Sequence, residues 1–401
     1  MGQIAALKLV EAPAFYSRLL EITEDSGGDE AFHSMHYSTQ LPSSISPALA
    51  AFFVSRFSRK GQVVLDPFAS SGASVLEAAL MGRIAKASDI DPLALEICKA
   101  KLAPVDITEV TLRLQMINLK RPVELSSFRN SFSTFYDIDT YRELLNLRAY
   151  LQDNRDRASD FIKLLALGIL HGNNAGYLSV YSHPHIALSP AEQEKVNFQR
   201  CQSADYRPVA PRILRKAAFV LREGIPSVIY NNMPYNTCSF SDARNLSYLT
   251  SSSVDLIITR PPAIKTSHED QGQADQRQSA QRQWLKNWFL GISSSAARSE
   301  RYGRELSTWK EFMNESLLEM ARVLKPGGRA VLQFQSLRDG AEYFHPHEAL
   351  VDVINENLSR YWEPEGTYQQ KLKCSKVRKE QKNHEGVYLA KDCRALVLRR
   401  R

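Results

Sequence analysis

The sequence predicts an α/β fold with a Rossmann-like parallel sheet, and two observations support this prediction. Residues 63–65 form a short apolar, β-branched run, as expected for a strand covered on both faces. Small residues at 70–72 then form a turn, residues 75–80 continue at helical spacing, and a second strand ends at Asp89. This order of elements gives a βαβ unit, whose ligand site lies beyond the carboxyl ends of its strands.

Later segments extend the same sheet. Residues 236–244 and 254–259 each have the pattern of a strand, and a helix at 317–324 leads through Lys325 and Pro326 into a further strand at 329–334. Near the end of the chain, short apolar runs predict a closing hairpin of strands at 386–389 and 395–398. Helices with apolar residues at i, i+3 and i+4 are predicted at 45–57, 93–102, 140–151 and 160–171.

The turn after the first strand carries an acidic residue that distinguishes two classes of ligand. A dinucleotide-binding turn needs the pattern G-x-G-x-x-G, because backbone amides must approach a pyrophosphate. Here Asp66, Pro67 and Phe68 stand in that place, and the Asp66 carboxylate would repel a pyrophosphate. A carboxylate suits a ligand with an ammonium or sulfonium group. The sequence therefore favours S-adenosylmethionine over NAD.

With these residues the chain resembles the S-adenosylmethionine-dependent DNA methyltransferases that modify the exocyclic amino group of cytosine (N4) or adenine (N6). Ser70 replaces the first glycine of their cofactor loop, and it would be strained if φ is positive there. The resemblance implies a class I methyltransferase sheet with a helix-rich insertion. The family loop, Asp-Pro-Phe-x-Gly-Ser-Gly, is matched here by Asp66, Pro67, Phe68, Ser71 and Gly72.

The resemblance also implies roles for single residues in binding S-adenosylmethionine. Asp66 would lie near the methionine amino group, Phe68 beside the cofactor, and Asp89 on the ribose hydroxyls. Asp242, near the end of the segment 236–244, would accept a hydrogen bond from the adenine amino group.

A segment before the loop, which in the family covers the methionine end of the cofactor, adds one more residue. Tyr37 lies in this segment, and Gln40 stands where the family usually has a basic residue. The expected cofactor-binding set is Tyr37, Asp66, Phe68, Ser70, Gly72, Asp89 and Asp242.

The catalytic motif of that family is Ser/Asp/Asn-Pro-Pro-Tyr/Phe at the end of the fourth strand. Its polar residue and a backbone carbonyl accept hydrogen bonds from the target amine, and its ring stacks on the extruded base. Here Arg260 offers no acceptor, and Ala263 gives up base stacking worth about 1–3 kcal/mol. The carbonyl before Pro261 remains as an acceptor, so the expected catalytic residues are Arg260, Pro261 and Pro262.

Three functions follow from this pattern. The first is methylation of an exocyclic amino group in double-stranded DNA, with the target base flipped out. The second is a catalytically impaired pseudo-methyltransferase that serves as a DNA-binding or complex subunit, which a guanidinium at position 260 favours. The third is methylation of RNA. The resemblance is compatible with a restriction or defence-system partner and does not determine the oligomeric state.

Charge is concentrated in two places that suit a nucleic acid. Residues 371–401 contain eleven basic and three acidic residues, a net charge of +8 against −1 for the remainder of the chain. Basic residues between Arg207 and Arg222 include Arg212, Arg215 and Lys216 on a helical pattern, so we predict target recognition there.

The sequence predicts four segments along the chain. They are an N-terminal helical arm (1–34), a cofactor-binding half (35–109), a helical insertion (110–235) and a catalytic half with a basic hairpin or tail (236–401).

The overall composition excludes other classes of protein. With 43% apolar and 24% charged residues, the chain has the composition of a soluble globular protein. No apolar run approaches the roughly 18 residues of a membrane span. The five cysteines include no CxxC pair, which fits a reducing cytoplasm. His171, His183 and His185 lack the spacing of a metal motif. We therefore expect a cytoplasmic protein with no metal and no membrane contact.

Overall fold

The computed structural model describes residues 8–11, 17–21, 32–39, 41, 44–183, 186–264, 282–293, 305–339, 342–370 and 393–401. They form a central sheet, helices on both of its faces and a separate two-stranded ribbon. The strands are β1 (Lys8–Glu11), β2 (Ser17–Glu21), β3 (Val63–Asp66), β4 (Ile84–Asp89), β5 (Thr237–Phe240), β6 (Val254–Thr259), β7 (Leu324–Gln335), β8 (Leu337–Asp339), β9 (Glu342–Phe344), β10 (Trp362–Gln370) and β11 (Cys393–Arg400).

The central sheet has the strand order β1-β2-β10-β11-β7-β6-β3-β4-β5. From β7 to β5 neighbouring strands are parallel, whereas β11 runs antiparallel to both β7 and β10. The seven strands from β10 to β5, with β11 reversed, have the order and directions of a class I methyltransferase sheet. The predicted fold class is therefore confirmed.

Helices connect the strands and several begin at side-chain caps. Asp91 accepts a hydrogen bond from the Leu93 amide at the start of one helix, and Asp137 and Asp156 cap two others. No helix in the described ranges has the length and apolar composition to cross a bilayer. The helices are α1 (Pro47–Phe57), α2 (Ala73–Leu80), α3 (Pro92–Leu102), α4 (Ile107–Gln115), α5 (Ile138–Asp153), α6 (Arg157–Leu167), α7 (Pro190–Gln199), α8 (Val209–Val220), α9 (Ser227–Asn232), α10 (Trp284–Leu290), α11 (Leu306–Val323) and α12 (Pro346–Val353).

Alternating side chains of the central strands feed two cores, one on each face of the sheet. On β3, Val64 packs into the core with α1, α2 and α3, whereas Leu65 packs into the core with α11 and α12. On β6, Leu256 and Ile258 face the first core and Ile257 the second. All five side chains are fully buried. Because each such side chain contributes about 1.5–3 kcal/mol when buried, both faces stabilise these strands.

The helical insertion packs on the first of these cores. Helices α4, α5, α6 and α8 bury apolar residues there, among them Leu144, Phe161 and Ile213. The insertion and the cofactor-binding half therefore share one core. Its predicted role in target recognition stays a prediction.

The prediction of a helical N-terminal arm is wrong. β1 and β2 pair as antiparallel strands, and β2 continues the sheet beside β10. Pro13 in the predicted helix disfavours helical backbone, and runs this short do not separate a helix from a strand by periodicity. The acidic loop at 24–30 lies outside the described residues.

At the other end of the chain, the predicted strand at 395–398 is confirmed within β11. The partner predicted for it at 386–389 lies outside the described residues, as does most of the basic tail. The strand that β11 pairs with is β10, which the sequence did not predict.

Candidate active site

The parallel strands bring the sequence-predicted residues to one edge of the sheet. Asp66 ends β3, Asp89 ends β4, and Thr259 ends β6 directly before Arg260. Thr259 Oγ1 donates to Asp66 Oδ1 at 2.5 Å, and the Ser70 amide donates to Asp89 Oδ2 at 2.9 Å. The carboxyl ends of three neighbouring strands are thus joined by direct hydrogen bonds, as expected for a ligand crevice in an open α/β sheet.

Asp66 is the buried centre of these contacts. Only 2% of the residue is exposed. Besides Thr259, the hydroxyl of Ser74 donates to Oδ2 and the Phe68 amide to Oδ1, at 3.1 Å for the amide. Burial raises the pKa of Asp66 to about 6, against the lowering effect of these hydrogen bonds. Asp66, expected near a methionine amino group, therefore uses both oxygens to hold the surrounding protein.

The loop after β3 contains the backbone strain that the sequence analysis considered for Ser70. Ser70 has φ of 48°, in the left-handed region that a serine adopts only at a cost. Its amide is held by Asp89, which fixes the strained turn from the neighbouring strand. Gly72 has φ of 72°, and a Cβ there would lie 2.9 Å from Cys98 Sγ. The glycine is therefore needed for α2 to begin against α3.

A segment that precedes α1 closes over this loop. Ser44 Oγ shares hydrogen bonds with the hydroxyls of both Ser70, at 3.1 Å, and Ser71. The Ser71 amide also donates to Ser44 Oγ at 3.3 Å. Gln40, which was predicted to replace a basic residue in this segment, lies outside the described residues.

Three carboxyl groups give the crevice its negative charge. Asp89 is partly exposed and accepts from the backbone amides of Ser70 and Asp91, each at 2.9 Å. Burial raises the pKa of Asp89, and burial together with the Asp89 charge raises the pKa of Asp91 to about 6. Close carboxylates with raised pKa values favour a cationic ligand, which would offset their repulsion.

Two further predicted residues border the crevice. Phe68 packs against Phe312, with ring centroids 5.9 Å apart, and the Arg244 guanidinium lies 5.3 Å from the Phe312 ring. Asp242 forms an ion pair with Arg244, with Nε and Nη2 each 3.0 Å from a carboxylate oxygen. An adenine amino group at Asp242 would share this carboxylate with Arg244.

Arg260 occupies the position where the family has an acceptor. Its Nη1 donates to the Ser44 carbonyl oxygen at 3.1 Å, and its Nη2 donates to Gln335 Oε1 at 3.0 Å. The side chain therefore connects the end of β6 to the segment before α1 and to the end of β7. Burial lowers the pKa of Arg260, which retains its charge because arginine is not deprotonated in proteins.

The Pro-Pro segment is held from behind. Trp309, 1% exposed on α11, donates from Nε1 to the Pro262 carbonyl oxygen at 2.9 Å. Ala263 is exposed and offers no ring. The segment thus has both prolines of the motif, with Arg260 and Ala263 at the positions of its acceptor and its ring.

Ser44, Gln335 and Ser74 were missed as site residues. Gln335 ends β7 at the same edge of the sheet as Asp66. Because ligands of open α/β sheets bind beyond the carboxyl ends of the strands, this position could have identified Gln335 from the sequence. Ser44 and Ser74 had no such signal, because their contacts depend on how the chain folds back on itself.

Tyr37 lies in a different place from the other predicted cofactor residues. It lines a cavity of about 230 Å³ together with Lys216, Lys286 and His171. None of Asp66, Phe68, Ser70, Gly72 and Asp89 belongs to the lining of this cavity. The structure therefore separates Tyr37 from the acidic crevice.

Several of the predicted DNA-contacting residues of the insertion bind the chain itself. Arg207 donates to the carbonyl oxygens of Tyr177 and Ser179, and Arg212 donates to that of Ala175 at 3.3 Å. Lys216 Nζ donates to the Tyr37 carbonyl oxygen at 2.6 Å. Arg215 is exposed on α8.

The histidine cluster that the sequence drew attention to includes one internal hydrogen bond. His171 Nδ1 donates to the His183 carbonyl oxygen at 2.9 Å. Within the described ranges, no group of three or more His, Cys, Asp or Glu residues is arranged to hold a metal ion. His185 lies outside the described residues.

No protein-family model matches this sequence, and no curated protein matches it. Solved structures with similar folds include the rRNA methyltransferase aviRa from Streptomyces viridochromogenes (12% identity, 91% of both chains covered, TM-score 0.32). A rRNA methylase from Streptococcus thermophilus is 8% identical over 89% of this chain and 97% of its own, with a TM-score of 0.31. A TehB-like SAM-dependent methyltransferase from Corynebacterium glutamicum is 10% identical over 89% of both chains, with a TM-score of 0.31. The fold assignment rests on the order and directions of the strands.

We predict that Ser70→Gly destabilises the protein by about 1 kcal/mol less than Ser71→Gly, because both changes lose a hydroxyl bonded to Ser44 but only position 70 is relieved of positive φ. Urea unfolding measures the change in the free energy of unfolding. Ser71→Gly is the matched control: Ser71 is not at positive φ and bonds the same Ser44 hydroxyl, so this change should destabilise. Equal destabilisation by both changes would contradict the assignment of strain to position 70.

Proposed function

We propose that this protein binds S-adenosylmethionine in the acidic crevice and is an impaired methyltransferase for exocyclic amino groups of nucleic acid bases. The observation that carries the proposal is the closure of the acceptor position by Arg260, between Ser44 and Gln335. DNA is the substrate class that the resemblance favours, and RNA is the matched alternative.

The residues of the crevice fit the cofactor. S-adenosylmethionine carries a sulfonium and an ammonium group, and when bound it supplies an electrophilic methyl group. Asp89 is partly exposed and retains acceptor capacity for ribose hydroxyls. Asp66 and Asp91 add negative charge, and Gly72 lets the backbone turn closely into α2. These carboxylates would attract a cationic ligand and repel a pyrophosphate.

The residues at the expected position of the target amine do not fit efficient methyl transfer. An exocyclic amine needs hydrogen-bond acceptors and an aromatic surface, whereas Arg260 offers only donors and Ala263 no ring. The two hydrogen bonds of Arg260, to Ser44 and to Gln335, favour the closed site.

A second candidate is a slow but working amino-methyltransferase that opens when Arg260 releases its partners. Both of those partners are neutral oxygens rather than carboxylates, and Pro261 and Pro262 are retained at the end of β6. Nucleic acid phosphates would compete well for such a guanidinium.

We predict that the double change Arg260→Ser with Ala263→Tyr raises methyl transfer at least about tenfold over the wild type, since it supplies an acceptor and a stacking surface. Incorporation of tritiated methyl groups is measured on genomic DNA and on total RNA in parallel. Arg360→Ser, a change at an exposed arginine, is the control and should leave transfer unchanged. A double variant that binds S-adenosylmethionine yet transfers nothing to either nucleic acid would refute the proposed substrate class.

We predict that S-adenosylmethionine binding weakens roughly tenfold between about pH 7.5 and about pH 5, because Asp66 and Asp91 become protonated as the pH falls through about 6. Calorimetric titration at several pH values measures the affinity. Asp66→Asn should bind more weakly at neutral pH and show a flatter pH dependence. An affinity that is independent of pH in the wild type would contradict the assignment of the cation site.

The raised pKa of Asp66 predicts the opposite pH dependence for the stability of the unliganded protein. The pKa of Asp66 is higher in the folded chain than its ordinary value of 3.8, so folding takes up a proton between about pH 4 and about pH 6. Relative to Asp66→Asn, the wild type should therefore lose stability as the pH rises through this window. Thermal melts of both proteins across the window measure this difference, and parallel melting curves would count against the buried carboxyl group.

A further inference from the structure

The cavity that contains Tyr37 has the chemistry of an anion site, opposite to that of the acidic crevice. Its volume is about 230 Å³, and it lies between the segment 37–39, the end of α6, helix α8 and helix α10. Two lysines supply positive charge and donors, and three aromatic rings supply flat apolar surface. Its lining includes Tyr37, Ser38, His171, Tyr177, Lys216, Phe219 and Lys286.

Three ammonium groups are concentrated at this cavity and its wall. Lys286 is 5% exposed, and Lys101, which lies against the Thr39 side of the wall, is 1% exposed. Lys216 is partly buried. Burial lowers the pKa of each of the three to about 8, and the charge of a second lysine adds to this for Lys101 and Lys286.

Lys101 and Lys216 are held by carbonyl oxygens rather than by carboxylates. Lys101 Nζ donates to Ser71 at 2.7 Å and to Thr39 at 3.3 Å, and Lys216 Nζ donates to Tyr37 at 2.6 Å. An ammonium group has three donors, so Lys216 retains two after this bond. Buried charge without a counter-ion is costly, and an anion in the cavity would offset that cost.

A polar side chain in the lining also lacks a partner. Ser38 is fully buried, and its hydroxyl forms no hydrogen bond. A ligand or water in the cavity would supply a partner for this hydroxyl.

Close backbone approach shapes the cavity. A Cβ on Gly168 would lie 1.9 Å from the Ser38 carbonyl oxygen and 3.1 Å from Lys216 Cε. A Cβ on Gly172 would lie 2.4 Å from the Tyr177 ring. Any side chain at either glycine would displace the lining, so the cavity depends on both.

The aromatic part of the lining favours a flat ligand group beside the anion. The rings of Tyr37 and Phe219 lie 5.9 Å apart, and Lys216 Nζ lies 5.9 Å from the Phe219 ring. Arg222 also covers Phe219, with its guanidinium 4.9 Å from the ring centre. An anion and a planar ring held together are the two parts of a nucleotide.

We propose that this cavity binds a nucleoside phosphate, with the phosphoryl group between Lys216 and Lys286 and the base against the aromatic lining. The site goes beyond the proposed cofactor function and does not depend on it, because the two ligands have opposite charge and contact different residues. The nucleotide is either free in solution or the terminal nucleotide of a nucleic acid strand.

The test is calorimetric titration of the full chain with mononucleotides, with 5′-phosphorylated and unphosphorylated oligonucleotides, and with inorganic phosphate. We expect mononucleotides or phosphorylated strands to bind, and Lys216→Met and Lys216→Gln to weaken that binding at least about tenfold. Lys60→Met, at an exposed lysine outside the cavity lining, is the matched control and should change the affinity less than about twofold. Tighter binding of the phosphorylated strand than of the mononucleotide assigns the site to nucleic acid, and the reverse assigns it to a free nucleotide.

Folding is checked by the melting temperature of each variant. Lys216→Met removes a buried charge and should not lower it, and Lys216→Gln keeps a donor for the Tyr37 carbonyl oxygen. Absence of any binding at about 5 mM ligand, or equal weakening by the Lys216 and Lys60 variants, would overturn the proposal. Titration with S-adenosylmethionine is run separately, so that a failure of the cofactor site and a failure of this site are distinguishable.

Discussion

The buried carboxylate of Asp66 is the constraint on which the crevice depends. Its hydrogen-bond donors come from three segments: Thr259 at the end of β6, Ser74 in the first turn of α2, and the Phe68 amide in the loop between β3 and α2. An ionised group at 2% exposure is tolerated only when such donors surround it. Loss of one donor would leave part of that charge unsatisfied, at about 1–3 kcal/mol or more. The shape of the cofactor loop is therefore set by an acid that faces the protein.

Arg260 closes the same crevice from the other side. The guanidinium bonds neutral oxygens of Ser44 and Gln335, and Ser44 in turn bonds the loop at Ser70 and Ser71. One serine thus joins the position expected for the base to the position expected for the cofactor. Ser44 therefore bonds both Arg260, through its carbonyl oxygen, and the loop, through its hydroxyl.

Local sequence patterns predicted the central strands and the loop after β3. The features that they did not predict depend on contacts between residues far apart in the sequence. β3 and β6 were predictable because burial on both faces leaves apolar runs, and the loop because its acid and small residues are adjacent in sequence. β10 was missed because Pro364 and Gly366 interrupt its pattern, at the point where its register with β11 shifts. Arg260 was recognised from the sequence as a departure from the family motif. Its hydrogen-bond partners lie 216 and 75 residues away in the sequence, and no local pattern predicts them.

The cavity behind Tyr37 was hidden for the same reason. Lys101, Lys216 and Lys286 lie on three separate helices, and each fits the ordinary pattern of a basic surface residue. Lys101 bonds both the Ser71 carbonyl oxygen in the loop and the Thr39 carbonyl oxygen in the cavity wall. A neutral donor could bond the same two oxygens without the cost of a buried charge, so hydrogen bonding alone does not account for an ammonium group there. Its charge adds to those of Lys216 and Lys286, and together they favour an anion in the cavity.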